Sequence, residues 1–366
     1  MPTDSPHDIR AVLRRFDTLL DANGERSDVD PQSAAVAPLS GGLINDTFRL
    51  GDGHVLQRLH PIFGAAVNRD IDDLTRHLRH AGVPVPRICH ARDGQPFVEI
   101  TAQHSDDAAI QGVWRILTWL DGHTLHRLSD VAQARSAATM VGRFHRALDG
   151  VDHEFAFTRA GAHDTDAHMA SITTTLMDNP GHRLADDVRR LRDELHQRWT
   201  EHEGPVDLPQ RIGHGDLKVS NLRFDDGGVA CGVLDLDTMA HLTVDIELGD
   251  ALRSWCNRAA EDATEARLDT ELFAGAVGGY VATMGEALDA AERDAIVPGL
   301  LRICLELSAR FSADAINENY FGWSDAIAPT RGDHNLRRAR GQLDLARKVS
   351  AHRAELERAV AAAARG

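Results

Sequence analysis

The stretch HGDLKVSNLRFDDGGVACGVLDLD, residues 214–237, decides how the rest of the chain is interpreted. It consists of a polar loop and an apolar run, with Asp216 and Asn221 in the loop and Asp235 at the end of the run. Asp, Asn and Gly are common in turns, so two turns flanking a hairpin would also account for the pattern. The spacing of the polar residues points instead to a shared chemical task.

That task is phosphoryl transfer, which needs a carboxylate to orient the attacking hydroxyl and oxygen ligands for Mg²⁺. Asp216 and Asn221 have the D-x-x-x-x-N spacing of a kinase catalytic loop, so one tight loop can aim a carboxylate at substrate and an amide oxygen at metal. Asp235 follows the strand VACGVL, in position for a second metal ligand. Lys218 is predicted to reach a phosphoryl oxygen, with a solvated loop lysine as the alternative. Asp237 is either a further metal ligand or a turn residue.

The composition excludes several classes of protein. With 366 residues and 42% hydrophobic content, the chain can form one large or two ordinary domains. Its 56 acidic and 40 basic residues give a net charge of -16, which argues against nucleic acid as a partner. The N-terminus has no signal-peptide pattern, and no run reaches the roughly 18 apolar residues of a membrane span. We therefore expect a cytoplasmic protein that has no membrane partner.

The cysteines and histidines predict no metal centre. Cys89, Cys231, Cys256 and Cys304 form no CxxC pair, so neither a disulfide framework nor a thiolate zinc site is indicated. We expect free thiols. The 20 histidines are scattered and contain no HExxH, which favours solvated or structural roles.

The N-terminal third alternates between helical and extended patterns. Ile9, Leu13, Phe16 and Leu20 recur at helical spacing and predict an opening amphipathic helix. From about residue 35, short extended runs separated by turn residues predict an antiparallel sheet. A further helix ends before VPVP, and PFVEI and VWRILTWL are two more strand candidates.

Beyond DGHTL, residues 121–125, helical periodicity dominates except in the 211–238 region. We place the main boundary near residue 120. Residues 1–120 form an N-terminal nucleotide-binding lobe with a leading helix, and residues 121–366 form a C-terminal lobe with the catalytic loop and substrate pocket. The predicted fold is α+β, two-lobed and protein-kinase-like, with a small antiparallel-sheet lobe and a larger, mainly helical lobe.

The stretch HGDLKVSNLRF…GVLDLD resembles the signature of the aminoglycoside phosphotransferase family, a kinase-like fold that phosphorylates hydroxyls on small molecules. Other segments resemble its N-acetylhexosamine 1-kinase branch, between about residues 39 and 348: GGLINDTFRL, VLQRL, LTWLDGHTL, DIELGDALR and ARFSADAINENYFGWS…HNLRRARGQLDLA. The resemblance implies carbohydrate metabolism, with ATP and Mg²⁺ as cofactors. The implied acceptor is the anomeric hydroxyl of an N-acetylhexosamine or a related amino sugar.

The resemblance also assigns residues. It makes Asp216 the catalytic base, and Asn221 and Asp235 the magnesium ligands. SGGLIND takes the place of the nucleotide-covering loop, where glycines allow close approach of the backbone to phosphate. The implied nucleotide-binding positions are Gly41 and Gly42 in that loop, and Thr118, Trp119 and Leu120, whose backbone would contact adenine.

The lysine that the family places on the third strand is absent. VLQRL offers Arg58, or Gln57 if the register shifts by one residue, and an arginine keeps the charge but changes the geometry. Its acidic partner is expected on the following helix, among Asp70, Asp72 and Asp73.

Three further residues follow in TVDIELGDALR. Asp245 resembles the buried carboxylate that holds the catalytic loop through backbone amides, with a helix cap as the alternative. Asp250 and Arg253 lie one helical turn apart, where they either face the sugar pocket or form a surface ion pair.

Three alternatives define the limits of this prediction. A protein kinase is disfavoured because Leu-Asp rather than Phe-Gly follows Asp235, and no APE segment comes later. An aminoglycoside, homoserine or choline acceptor is open, because the fold does not choose the substrate. The missing strand lysine also permits a non-catalytic nucleotide-binding regulator, although such a protein would have little use for Asp216.

Overall fold

A computed structural model of the chain describes residues 6–21, 23–39, 44–105, 107–205 and 207–366. The chain divides into two compact units. The first contains residues up to 122 together with two later segments, 150–159 and 231–239. The second contains residues 123–149, 160–230 and 240–366.

The first unit is built on an antiparallel sheet. The strands are β1 (Val36–Pro38), β2 (Asp46–Leu50), β3 (His54–Arg58), β4 (Ile88–Cys89), β5 (Val98–Ile100) and β6 (Gly112–Thr118). Their order is β1-β2-β3-β6-β4, and β5 also pairs with β6. In this register Gln57 lies opposite Thr47 on β2 and opposite Arg115 on β6.

Two helices accompany this sheet, α1 (Pro6–Leu13) and α2 (Val67–His80). The opening helix ends at Leu13, earlier than its hydrophobic spacing predicted. Phe16 is still fully buried in the same apolar cluster as Leu13, Leu56 and Trp114. The periodicity therefore continues past the helix because the following residues pack into the same core in a non-helical conformation.

The second unit is mainly helical. Its helices are α3 (Val131–Leu148), α4 (Thr165–Asp178), α5 (Ala185–Thr200), α6 (Val244–Trp255), α7 (Thr270–Met284), α8 (Ala290–Asp294), α9 (Ile296–Asn317), α10 (Arg331–Ala351) and α11 (Arg353–Ala363). α6 packs closely on α9 through two glycines. A Cβ on Gly249 would lie 2.5 Å from the carbonyl oxygen of Gly299, and one on Gly299 would overlap the backbone of Asp245.

Short strands frame the motif that opened the sequence analysis. They are β7 (His123–Thr124), β8 (Arg211–Gly213), β9 (Leu222–Phe224), β10 (Ala230–Val233) and β11 (Ala240–Leu242). In the second unit β8 pairs with β11 and β9 pairs with β7. Residues 214–221 form the loop between β8 and β9, so its two ends are fixed by separate antiparallel pairs.

The predicted α+β class is confirmed, with an antiparallel sheet in the N-terminal unit and mainly helices in the C-terminal one. All four cysteines lie in the described residues and carry free thiols, as expected. Burial raises the pKa of the Cys89 thiol to about 11. In the described part of the chain, no helix is both long and apolar enough to cross a membrane.

Candidate active site

The loop of residues 214–221 brings three predicted residues together. The Lys218 ammonium lies 2.5 Å from Asp216 Oδ2. The Asn221 amide nitrogen donates to the same oxygen at 3.0 Å and to the Asp216 backbone carbonyl at 2.8 Å. This orientation turns the amide oxygen of Asn221 away from Asp216. The loop therefore holds a cation and an amide within hydrogen-bonding distance of one carboxylate.

A buried glutamate holds the start of this loop. The Gly215 backbone N–H donates to Glu247 Oε1 at 2.5 Å, and Glu247 Oε2 lies 3.0 Å from His145 Nε2. The other ring nitrogen of His145 is 2.9 Å from the Tyr280 hydroxyl. Gly215 has φ +77°, a left-handed conformation that favours glycine. A charged acceptor and a glycine thus set the position of the residue before Asp216.

The last turn of α6 holds the rest of the loop. The indole N–H of Trp255 donates to the Leu217 carbonyl at 2.8 Å. The Val219 backbone N–H donates to the Ser254 hydroxyl at 3.1 Å. Because these bonds lie on either side of Lys218, the segment that carries the cation is tied to one rigid helix.

The carboxylate predicted to hold the loop is two residues away from the one that does so. Asp245 accepts hydrogen bonds from Arg302, at 2.9 Å, and from the Thr243 hydroxyl. Glu247 takes the role that the resemblance gave to Asp245. Two positions along a helix correspond to a rotation of about 200°, so the two carboxylates point to nearly opposite sides of α6.

Electrostatics keep the proposed base ionised. Burial would raise the pKa of Asp216, but the nearby charges of Lys218, His214 and Arg253 lower it below its usual value. The side chain is 25% exposed, so a substrate can reach it. An ionised carboxylate of low pKa is a weak base, which suits the orientation of a hydroxyl in a loose phosphoryl-transfer transition state.

Asp250 and Arg253 form a buried ion pair, which removes the surface-pair alternative. The Arg253 Nε and Nη2 atoms lie 3.0 and 2.7 Å from Asp250 Oδ1. The two side chains are only 8–9% exposed. The charge of Arg253 acts on Asp216, so the pair lies beside the catalytic loop.

The first unit gives Arg58 a different environment from the one predicted. Its guanidinium donates to Asp46 Oδ2 at 2.7 Å and to the Ala109 carbonyl. Gln57 lies on the opposite face of β3 because side chains alternate along a strand. There the Gln57 amide oxygen accepts from Arg115 Nε at 2.9 Å. The strand register thus favours Gln57 over Arg58 as the counterpart of the family lysine.

Sequence reasoning missed Arg115, a buried cation on β6. It pairs with both carboxylate oxygens of Asp237, at 2.5 and 2.9 Å. Asn45 donates to Asp237 Oδ2 at 2.8 Å, and Asn68 on α2 lies 3.3 Å from Arg115. Asp237 is therefore an ion-pair partner. The available signal was a charged residue within the apolar strand VWRIL.

The acidic candidates on α2 are bonded elsewhere. Asp70 accepts from the backbone N–H groups of Ala156 and Phe157, at 2.8 and 3.0 Å, and so anchors segment 150–159. Asp72 and Asp73 both contact Arg76. The residue of α2 that reaches the strand cation is Asn68.

The remaining predicted residues are placed as follows. Asp235 is exposed, and its backbone is in the left-handed conformation, with φ and ψ both 60°. The Thr118 hydroxyl accepts from the Arg87 backbone N–H at 2.9 Å, and the Trp119 N–H donates to the Gly53 carbonyl at 2.7 Å. Contacts of Thr118, Trp119 and Leu120 with adenine stay a prediction. Gly41 and Gly42 lie outside the described residues.

Comparison with known proteins identifies the family. The model of the phosphotransferase enzyme family matches residues 35–284, more than half of the chain. The chain belongs to this family. The homoserine kinase of Zymomonas mobilis is 24% identical over 187 residues, which are 50% of this chain and 52% of that protein. The chain thus matches about half the length of this curated relative.

Solved structures share the fold along nearly the whole chain. A microcompartment-associated aminopropanol kinase has a TM-score of 0.63 at 17% identity, covering 96% of this chain and 99% of its own. An aminoglycoside 2′-phosphotransferase-IIIa in complex with GDP has a TM-score of 0.59 at 15% identity, covering 92% and 99%. An amicoumacin kinase has 0.59 at 14%, covering 92% and 93%. The kinase-like fold is confirmed, and these matches do not single out the N-acetylhexosamine 1-kinase branch.

Proposed function

We propose that this phosphotransferase moves the γ-phosphate of ATP to a hydroxyl of a small molecule, with Mg²⁺. The grouping of Asp216, Lys218 and Asn221 on one anchored loop carries the proposal. The acceptor oxygen forms a bond to the γ-phosphorus while the bond to the β–γ bridging oxygen breaks. The acceptor proton passes to Asp216, and ADP leaves.

Lys218, Asn221 and Asp235 have the remaining roles in the proposed reaction. Lys218, beside Asp216, supplies positive charge to the transferred phosphoryl group. Asn221 and Asp235 would hold Mg²⁺ through side-chain oxygens, the ligands that this ion prefers. Relatives solved with GDP, or with AMP-PNP and Ca²⁺, support a nucleotide and a divalent cation as cofactors. The preference for ATP over GTP, and the cytoplasmic location, stay predictions.

For the acceptor we propose the anomeric hydroxyl of an N-acetylhexosamine or a related amino sugar. The segment from residue 309 carries the resemblance to that branch, and Asp314 organises it. Asp314 accepts from the backbone N–H groups of Asn319, Tyr320 and Phe321, at 3.0, 3.0 and 2.8 Å. Tyr320 and Trp323 are 41% and 40% exposed on this pinned loop. Exposed aromatic rings suit the apolar C–H faces of a sugar.

An amino alcohol is the second candidate acceptor. It is favoured by the two relatives named for such substrates, a homoserine kinase and an aminopropanol kinase. Both match at low identity, so they bring the candidate into the test without deciding it. Aminoglycosides and choline complete the set of acceptors.

The test is Mg²⁺-dependent ADP production by the purified protein with N-acetylhexosamines, simple hexoses, homoserine, aminopropanol, choline and aminoglycosides. Asp216→Asn should lower kcat about 10²- to 10⁴-fold, because the amide cannot accept the proton. Asp226→Asn is the matched control, since Asp226 is exposed in the turn after β9. It should keep full activity.

Each outcome decides between the candidates. Activity that is highest with a hexosamine and is lost only in Asp216→Asn supports the proposal. Activity restricted to amino alcohols replaces the proposed acceptor with the second candidate. ATP binding without turnover on any acceptor contradicts the kinase function and favours a nucleotide-binding regulator.

A further inference from the structure

One side of α6 carries the buried ion pair of Asp250 and Arg253. Ile246, Asp250 and Arg253, spaced by four and three residues, are 6–8% exposed. Elsewhere on the helix Leu248, Ala251, Leu252 and Trp255 are 0–2% exposed, whereas Asp245 is 7% exposed and Ser254 is partly exposed. Spacing of three and four places the first group on one side of the helix. We call this side, with Ile246, Asp250 and Arg253, the α6 ion-pair face.

The α6 ion-pair face lies beside the proposed base. Ser254 and Trp255, which directly follow Arg253, hold the backbone of Val219 and Leu217. The charge of Arg253 acts on Asp216. A molecule that presents a hydroxyl to Asp216 from this side would therefore also meet the α6 ion-pair face.

Asp250 has one oxygen that the protein leaves unused. Arg253 donates to Oδ1 from Nε and from Nη2, and Oδ2 is buried with no hydrogen-bond partner among the described residues. Buried polar atoms in native proteins almost always have a partner, because an unmet acceptor keeps the full cost of desolvation. Oδ2 is thus an acceptor site that a group from outside the chain can complete.

The charges nearby select the kind of group. Asp216 is paired with Lys218, and Asp250 with Arg253, so these four charges cancel. A further charge that acts on Arg253 is Glu261, which is exposed, so that water screens it. An ammonium group would need an unpaired carboxylate to offset the free-energy cost of its desolvation. A neutral O–H or N–H donor needs only an acceptor.

We propose that Asp250 Oδ2 accepts a hydrogen bond from a second, non-reacting hydroxyl or amide N–H of a neutral polyhydroxylated acceptor. One donor group of the substrate is then oriented by Asp216 and another by Asp250, which together fix the reacting hydroxyl. Arg253 holds the carboxylate in place and is a positioning residue. The inference rests on the proposed kinase function and names its substrate class.

The test combines acceptor analogues with one substitution. Analogues of the best acceptor, each lacking one donor group, are assayed with the wild type and with Asp250→Asn. With the wild type, one analogue should lose about tenfold to a hundredfold in kcat/KM, the size expected for a hydrogen bond to a charged group. In Asp250→Asn, that same analogue should lose much less relative to the full acceptor, while the others keep their wild-type ratios.

A purely structural role gives a different pattern. Ile303→Val serves as the control, because Ile303 packs against Gly249 at the contact of α6 with α9. Loosened packing should lower activity equally for every analogue. If Asp250→Asn also shows an equal loss for every analogue, the inference is wrong and the kinase function still stands.

The wild type alone provides a second test, which does not depend on the folding of the variant. If aminopropanol or homoserine is phosphorylated faster than every neutral polyol, the charge argument and the inference are overturned. If every neutral analogue reacts equally well, no donor group is recognised and the inference again fails. Lack of activity on all acceptors would contradict the proposed function itself.

Discussion

Asp237 in the first unit and Asp250 in the second are both buried and both paired with an arginine, but they use their oxygens differently. Asp237 bonds through both oxygens to Arg115, and Asn45 adds a third bond. Asp250 bonds to Arg253 through Oδ1 alone, and in the described part of the chain its Oδ2 has no partner. The first pair is complete within the protein, whereas the second leaves an acceptor for another molecule.

The comparison separates two uses of a buried ion pair. Desolvation makes such a pair a poor source of net stability, so its presence alone says little about its role. The informative property is whether every polar atom is satisfied. A complete network holds one conformation. An unsatisfied buried acceptor keeps its cost of desolvation until another group donates a hydrogen bond to it.

The largest expected effect is on the complete pair. Asp237→Ala leaves Arg115 buried without its carboxylate and should lower the free energy of unfolding by about 3–5 kcal/mol. Urea unfolding at neutral pH measures the change. Asp250→Ala should cost less, because it also removes an unsatisfied acceptor. An equal or larger loss in Asp250→Ala would show that the two pairs do not differ in the way described.

A third buried carboxylate sharpens the comparison through activity. Glu247→Gln replaces the charged acceptor of the Gly215 N–H, a bond worth about 1.5–3 kcal/mol. We expect kcat to fall about tenfold to a hundredfold, with a smaller change in the KM for ATP, because the loop that carries Asp216 loses its anchor. The pH dependence of kcat is measured alongside, and Glu271→Gln, at an exposed position in the first turn of α7, is the control. Unchanged kcat would remove the positioning role of Glu247.

The smallest expected effect comes from a partly exposed pair, Glu194 with Arg347. Hydrogen bonds from Arg347 lower the pKa of Glu194 to about 2 from its ordinary 4.5, although burial opposes this. The folded pKa is the lower one, so the stabilisation is present above pH 4.5 and is lost as the pH falls towards 2.

At neutral pH, Glu194→Gln should cost on the order of 1 kcal/mol, since the side chain is 28% exposed and solvent screens the pair. The difference between wild type and variant should disappear in unfolding experiments near pH 2. Glu357→Gln, in the more exposed pair with Arg353, should change stability less. A difference that persists at low pH would contradict the assigned ionisation.

Local patterns in the sequence were sufficient to place Asp216 and Asn221 on one loop. The D-x-x-x-x-N spacing of Asp216 and Asn221 survives folding because both residues lie on one short loop, and the structure places Lys218 with them. The change from extended to helical periodicity likewise predicted the α+β class. Both signals act over short distances along the chain.

Contacts between distant segments were beyond such reasoning. Arg115 and Asp237 are 122 residues apart, and Glu247 was overlooked because its neighbour Asp245 fitted the expected pattern. The choice between Gln57 and Arg58 depended on strand register, which a one-residue shift reverses. Segment 150–159 joins the first unit partly through backbone bonds to Asp70, for which the sequence has no local signature.

The most direct test of the central claim is identification of the product by phosphorus NMR. The protein is incubated with Mg²⁺, ATP and an N-acetylhexosamine, beside Asp216→Asn and Asp226→Asn. The account predicts ADP and a sugar phosphate with phosphorus coupled to the anomeric proton, formed by the wild type and Asp226→Asn and lost in Asp216→Asn. Sugar phosphate formed at the wild-type rate by Asp216→Asn, or no phosphorylated acceptor from the wild type with any tested hydroxyl compound, would contradict it.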